Sequence, residues 1–459
     1  MRSGAPPSMD LTSRLRAIVK PPRAESAGAP RRELTYEPDD GRSYEAAPDL
    51  EAAACALGGR VVSNAFGRLL VIDRRYEAER WYGEVQIGDL VPEDLEALQL
   101  LDPAFGAVRA AESGEAGSGG TPQRAVFLDL ETTGLSGGAG TVAFLVGCGY
   151  FDWGAFHVRQ FLLTSHGAER ALLAAAAELF DGADLIVTYN GKTFDVPVME
   201  TRWAFHRMPA PFGELPHFDM VHPARRLWRS RAGGEDEGGC RLTTLERVLF
   251  NLRRVGDVDG FEIPGRFFQF LRTADPRPLE PVLEHNRLDL VSLAAVTSRA
   301  LRLARGGEAA CRDAVEALAV GRVLERAGDA VRADACYRRA VESRCTHTRA
   351  EALYRLGLRL RRERRFDEAA RCWRELLDLA GGDRRARRVP EGLREFALEA
   401  LAIHQEHRRR DLDAARELAL FALQEEGRSS RADGMRHRLA RLDRKLAKRN
   451  RKDAQLFES

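Results

Sequence analysis

Three short stretches put carboxylates and a histidine where they can do chemistry together. In AVFLDLETTG (residues 125–134) an apolar run leads into Asp129 and Glu131. Two apart on a strand, these acids share one face. Side by side they repel each other and are costly to hold without compensation. In IVTYNGKTFDVP (186–197) a strand ends at the turn signal Asn190-Gly191, and Asp195 opens a helix with Pro197 in its first turn. In HNRLDLVSL (285–293) His285 and Asp289 stand four apart and share a helix face. Taken singly, these are surface acids at a strand end, a helix N-cap and a surface ion pair. Converging, Asp129, Glu131, Asp195 and Asp289 would form a site for two cations. Hard oxygen ligands select Mg2+ or Mn2+ over zinc. Such a site activates water and stabilises the leaving oxygen in an in-line displacement at phosphorus.

The elements that must position these residues follow from patterning. Residues 124–303 alternate strands (the stretch 125–134, which Gly134 ends, then 141–151, 156–163, 184–189) with helices (169–180, 194–207, 242–250, 279–303), which predicts an α/β domain with a mixed sheet flanked by helices. Ahead of it, residues 1–45 read as a disordered tail, 46–110 as a small α+β packing appendage, and 111–123 as a flexible Gly/Ser linker. Residues 230–239 read as an excursion within the α/β domain.

From residue 308 to 426 the sequence turns to Ala, Leu, Arg and Glu with a repeat in the mid-thirties. Gly321, Ala333, Tyr337 and Ala340 are echoed by Gly357, Ala369, Trp373 and Leu376, and weakly by Ala415, Ala419 and Ala422. The small-and-aromatic order is that of a tetratricopeptide repeat, in which small residues let paired helices approach. An all-α repeat domain is therefore expected. Residues 427–459 form a basic helix and tail with a narrow stripe of Leu439, Leu442 and Leu446. They read as a cap on the array, with phosphate attraction as the alternative.

Composition sets outer limits. Among 459 residues, 44% are hydrophobic and the formal net charge is +2, so bulk charge declares no polyanionic partner. The 7 scattered cysteines lack CxxC pairs, which argues against a disulfide framework or a structural zinc site. No apolar run is long enough for a membrane span, and the first residues lack a secretory core, so a cytoplasmic protein is expected.

In order and in placement, DLETTG, YNGKTFD and HNRLD resemble the exonuclease motifs of the DEDD superfamily, 3′-to-5′ exonucleases of ribonuclease H-like fold. The pattern is most similar to bacterial YprB-like proteins, some of which carry tetratricopeptide repeats, and extends through HFDMVHPARRLW (217–228) and CRLTTLE (240–246). The resemblance implies that Asp129 bridges both metals, that Glu131 and Asp289 complete one site, and that Asp195 serves the other. It implies that His285 orients or deprotonates the attacking water. The spacing departs from the family pattern. The histidine subclass places its histidine five residues before the last aspartate, whereas here it stands four before, at the tyrosine subclass's position.

Candidate substrate contacts are Thr133, Gly134, Asn190, Lys192, Arg225, Arg226 and Asn286. Trp228, Arg229 and Arg231 complete a basic segment able to stack and pair with nucleic acid. Asp219 and His222 fit supporting roles. The expected activity is a metal-dependent 3′-to-5′ exonuclease on single-stranded nucleic-acid ends, with the repeats binding a protein partner. The alternatives are a non-catalytic scaffold and a structure-selective endonuclease. Deleting residues 304–459 is expected to spare hydrolysis of short oligonucleotides.

Overall fold

The structure is a computed structural model that describes residues 49–92, 94–105, 124–134, 140–213, 215–233, 239–381, 389–425 and 432–457. The expected tail (1–45) and linker (111–123) lie outside the described residues.

Helix α1 (Leu50–Leu57) is capped by Asp49, whose carboxylate accepts from the backbone N–H of Glu51 and Ala52. Strands β1 (Arg60–Asn64) and β2 (Gly67–Tyr76) form a hairpin, β3 (Trp81–Tyr82) and β4 (Val85–Gln86) a small second ribbon, and α2 spans Leu98–Leu101. Then come β5 (Ala125–Thr132), β6 (Ala143–Asp152), β7 (Ala155–Leu162), α3 (Glu169–Phe180), β8 (Leu185–Thr188), α4 (Asp195–Phe205) and β9 (His217–Asp219). Helices α5 (Val221–Ala232), α6 (Leu242–Phe250), α7 (Ile263–Thr273) and α8 (Glu280–Gly306) complete this half.

Seven strands form one sheet in the order β1-β2-β7-β6-β5-β8-β9. The β5–β8 and β8–β9 pairs are parallel and the others antiparallel, so the sheet is mixed. Residues 46–110, expected as an appendage, contribute its first two strands: β2 pairs with β7 from Leu70↔Leu162 to Tyr76↔Phe156.

Alternation along β5 separates the two faces of the sheet. Val126, Leu128 and Leu130 are buried with Leu172, Met199, Trp203 and Phe267, under α3, α4 and α7. Ala125 and Phe127 are buried on the other side with Leu290, Ala294 and Leu245 of α8 and α6. Asp129 and Glu131 follow in that second register.

The second core does not stop at the sheet. It runs without a break through Trp228 to Ala317 and Leu324 of α9 (Ala314–Arg326), Tyr337 of α10 (Ala330–Val341), Leu353 of α11 (Thr346–Arg362), Trp373 of α12 (Phe366–Gly381) and Leu401 of α13 (Glu391–His404). Helices α14 (Leu412–Glu425) and α15 (Ala432–Phe457) close the array around Ala415, Ala419, Ala422, Met435 and Leu442. The repeat signature has a steric origin. A Cβ on Gly321 would lie 2.7 Å from the Tyr337 ring, and one on Gly357 2.3 Å from the Trp373 indole nitrogen, so each glycine admits the aromatic of the paired helix.

The shared core bears on the expectation that deleting residues 304–459 spares hydrolysis of short oligonucleotides. The Trp228 indole N–H donates to Glu316 of α9 at 3.3 Å, Arg231 pairs with Asp313, and Arg312 donates to the Leu249 carbonyl at 2.7 Å. Trp228 is fully buried by these contacts and is not available to stack on a base. Among the described residues no helix is long and apolar enough to cross a membrane.

Candidate active site

Asp129 is placed by what its neighbours lack. It stands opposite Gly147 of β6, and a Cβ there would sit 2.1 Å from Asn286 Oδ1. That space admits the fully buried amide of Asn286 from α8. The amide donates to Asp129 Oδ2 at 2.8 Å and accepts from Gln160 Nε2 at 2.9 Å, while Gln160 also donates to the Leu283 carbonyl. Asn286, expected to touch substrate, therefore holds the Asp129 carboxylate.

Asp195 lies at the start of α4, where its Oδ1 accepts from the Leu130 backbone N–H of β5 at 3.2 Å. The turn ahead of it is built on buried Asp219, which accepts from the N–H of Asn190 (2.7 Å), Lys192 (3.1 Å) and Val221 (3.1 Å). Asn190 has φ 71°, and a Cβ on Gly191 would meet Thr188 at 2.5 Å, so Asn-Gly is what this corner admits. Lys192 is exposed, and its charge acts on the His217 imidazole.

His285 and Asp289 face each other on α8, Nε2 to Oδ2 at 3.6 Å. The structure adds two residues that motif reading missed. Asp257 accepts from His285 Nδ1 at 2.8 Å, fixing the ring so that Nε2 faces Asp289. Arg254, its side chain 4% exposed, pairs with Asp289, with Asp257 at 3.2 Å and with buried Glu246 at 2.5 Å. Both lie in the irregular segment between α6 and α7, where no periodicity marks them.

Three of the four carboxylates are raised, and Asp289 is among the charges that raise them. Burial, followed by the charges of Asp289, Glu131 and Asp195, drives Asp129 well above the usual carboxylate range, against the hydrogen bond from Asn286. Burial and the charges of Asp289, Asp195 and Asp257 raise Glu131 against the pull of Arg254. Asp195 is pushed up to about 7 by burial and by Asp219 and Asp289, against hydrogen bonds from backbone N–H groups. Such mutual destabilisation is relieved by a cation, and the oxygen-rich donor set suits a hard divalent ion. Among the described residues no three His, Cys, Asp or Glu side chains close around one point tightly enough to hold an ion.

Two cavities flank the acids. One of about 370 Å³ is lined by Glu131, Thr132, Gly134, Asp195 and Phe194, whose ring is 52% exposed. The other, of about 600 Å³, is lined by Asp129, Asn190, Arg225, Arg229, Arg241 and Asp289. Two other expected substrate contacts are engaged elsewhere. Thr133 Oγ1 accepts from the Val142 N–H at 3.0 Å and closes its loop. Arg226 donates to the Leu101 carbonyl at 3.1 Å, on a side of α5 turned from Arg225.

Sequence comparison with known proteins agrees with this architecture. Residues 126–301 match the RNase_H superfamily, and residues 350–383 match the tetratricopeptide repeat. A protein of Bacillus subtilis (strain 168), "Uncharacterized protein YprB", is 30% identical over 324 residues, covering 70% of this chain and 75% of that protein. Among solved structures, the family B DNA polymerase from the archaeon Pyrobaculum calidifontis aligns at 13% identity and TM-score 0.32, over 52% of this chain. The chain spans 30% of that polymerase's length.

Proposed function

From the premise that this chain belongs to the YprB family, we propose that it is a metal-dependent nuclease that trims single-stranded nucleic-acid ends in the 3′-to-5′ direction. The observation that carries the reading is the set of four acids, in which burial and the charges of the others, Asp289 among them, raise Asp129, Glu131 and Asp195. A ribonuclease H-like domain with an acidic cluster between two cavities is suited to phosphodiester hydrolysis.

In this reading Asp129, Glu131, Asp195 and Asp289 hold two Mg2+ or Mn2+ ions, which supply Lewis acidity at the scissile phosphate. His285 accepts the proton of the attacking water at Nε2, because Nδ1 is committed to Asp257. Asn286 and Gln160 keep the Asp129 carboxylate in place. The terminal nucleotide occupies the cavity beside Phe194, whose exposed ring offers a stacking surface to a base. The repeats serve a protein partner.

One observation favours a second reading. Arg254 already sits on Asp289 as a fixed cation, as a non-catalytic scaffold would tolerate. A single assay separates the two: purified protein with magnesium or manganese and end-labelled single- and double-stranded DNA and RNA. A ladder growing from the 3′ end supports the exonuclease. Internal cuts point to an endonuclease, and intact substrate in both metals leaves the scaffold.

A further inference from the structure

We propose that Arg225, Arg229 and Arg241 form a phosphate track that leads one nucleic-acid strand across the 600 Å³ cavity onto Asp129 and Asp289. This rests on the nuclease reading and adds the part of the substrate remote from the bond cleaved: a single strand carrying about three phosphates along the track.

Arg225 and Arg229 are four apart on α5 and share its exposed face, while Ala224, Leu227 and Trp228 bury the opposite one. Arg241, exposed, stands at the N-cap of α6 on the far wall. That wall is fixed, since the Tyr189 hydroxyl at the end of β8 donates to the Cys240 carbonyl. Arg225, Arg229 and Cys240 all line the cavity, and the charges of both arginines act on the Cys240 thiol. Among the described residues, the acids of this lining are Asp129 and Asp289, at its catalytic end. A cavity of this size admits a ligand of one or two nucleotides' bulk, not the two strands of a duplex.

Several other cations have partners within the fold. Arg226 is on the Leu101 carbonyl and Arg231 on Asp313. In basic helix α15, Arg438, Arg441 and Lys445 converge on Glu406, and Arg449 pairs with Asp413.

The test is a salt titration of binding. A fluorescein-labelled single-stranded oligonucleotide is titrated with the full chain carrying Asp129→Asn, in magnesium, by anisotropy. Adding Arg225→Gln, Arg229→Gln and Arg241→Gln should flatten the slope of log Kd against log salt by about 2. The same positions changed to Lys should restore most of it. Arg444→Gln, Lys448→Gln and Arg451→Gln, an equal charge change on α15, should leave the slope unaltered. An unchanged slope in the first variant, a flattened one in the α15 variant, or duplex binding as tight as the single strand overturns the track. Hydrolysis by the unmutated chain is scored separately. Turnover with an unchanged slope sinks only the track, whereas a flattened slope without turnover sinks only the nuclease reading.

Discussion

The acids at the end of β5 and the clamp around Glu406 are charge clusters of opposite balance. In the first, Asp129, Glu131 and Asp195 are all pushed upward by burial and by each other, and Arg254 is the cation that meets the group. In the second, Glu406, in the π-helical turn Gln405–Arg409, is one buried carboxylate under three cations: Arg438 at 2.9 Å, Arg441 at 2.6 Å and Lys445 at 2.7 Å. Burial raises Glu406, but these partners outweigh it and draw the carboxyl down to about 2. The contrast separates a closed structural assembly from an open one. The Glu406 clamp is complete with the chain's own charges, whereas the β5 cluster is short of positive charge, as a site for an exchangeable ion should be.

The largest effect should come from removing the region that carries the clamp. Truncation after Gly307 strips the cover from Trp228 and leaves the α5–α6–α8 face open. Loss of cooperative unfolding by circular dichroism is expected; a native-like melting curve with turnover would show that the two clusters sit on separable bodies. Next, Asp129→Asn should lower hydrolysis on the order of 10³-fold or more. It should also raise the melting temperature in chelator by about 2 °C, since it removes one repelled charge. A drop in that temperature would mean the cluster is not open.

His285→Ala should cost turnover about 10²-fold while calorimetric cation binding stays within about threefold. Equal loss of both would move His285 among the ligands. Glu406→Gln should leave turnover unchanged and destabilise the fold by about 2–3 kcal/mol in denaturant titration. That is less than a fully buried pair would cost, because Arg441 and Lys445 are each 43% exposed.

The smallest effect is a pH signature of opposite sign. Asp195 titrates at about 7 in the fold against an ordinary 3.8, so its protonated form adds stability that is full below 3.8 and lost as pH rises through 7. Glu406, drawn down to about 2 from 4.5, adds stability that is full above 4.5 and lost as pH falls through 2. In chelator the melting temperature should decline from pH 5 to 8, and magnesium should recover most at pH 8. Equal recovery at both pH values would count against Asp195 as part of the cation site.

What sequence makes legible follows period and spacing. Asp129 and Glu131 share a face because a strand alternates, and the Gly321–Tyr337 and Gly357–Trp373 pairs declare themselves because the same offset recurs. Legibility fails where geometry is set from a distance. Arg225 and Arg226 are neighbours in sequence, yet a helix turns them to different partners. Trp228 reads as a stacking ring until α9 covers it. Asn286 reads as a substrate contact until Gly147, on a distant strand, makes room for it against Asp129. Arg254 and Asp257 were missed because their partners, Asp289 and His285, lie 35 and 28 residues further on.

The bond between Trp228 and Glu316 also carries a timetable. The two residues are 88 apart. At about 5–20 residues per second of synthesis, the ribosome needs about 4–18 s to make Glu316 after Trp228. During that interval the nascent sheet exists without its cover, with an apolar face exposed. Until then α5, which bears Arg225 and Arg229, lacks the contact that Glu316 makes with Trp228. Maturation of the cavity beside Asp129 is therefore tied to completion of the first repeat.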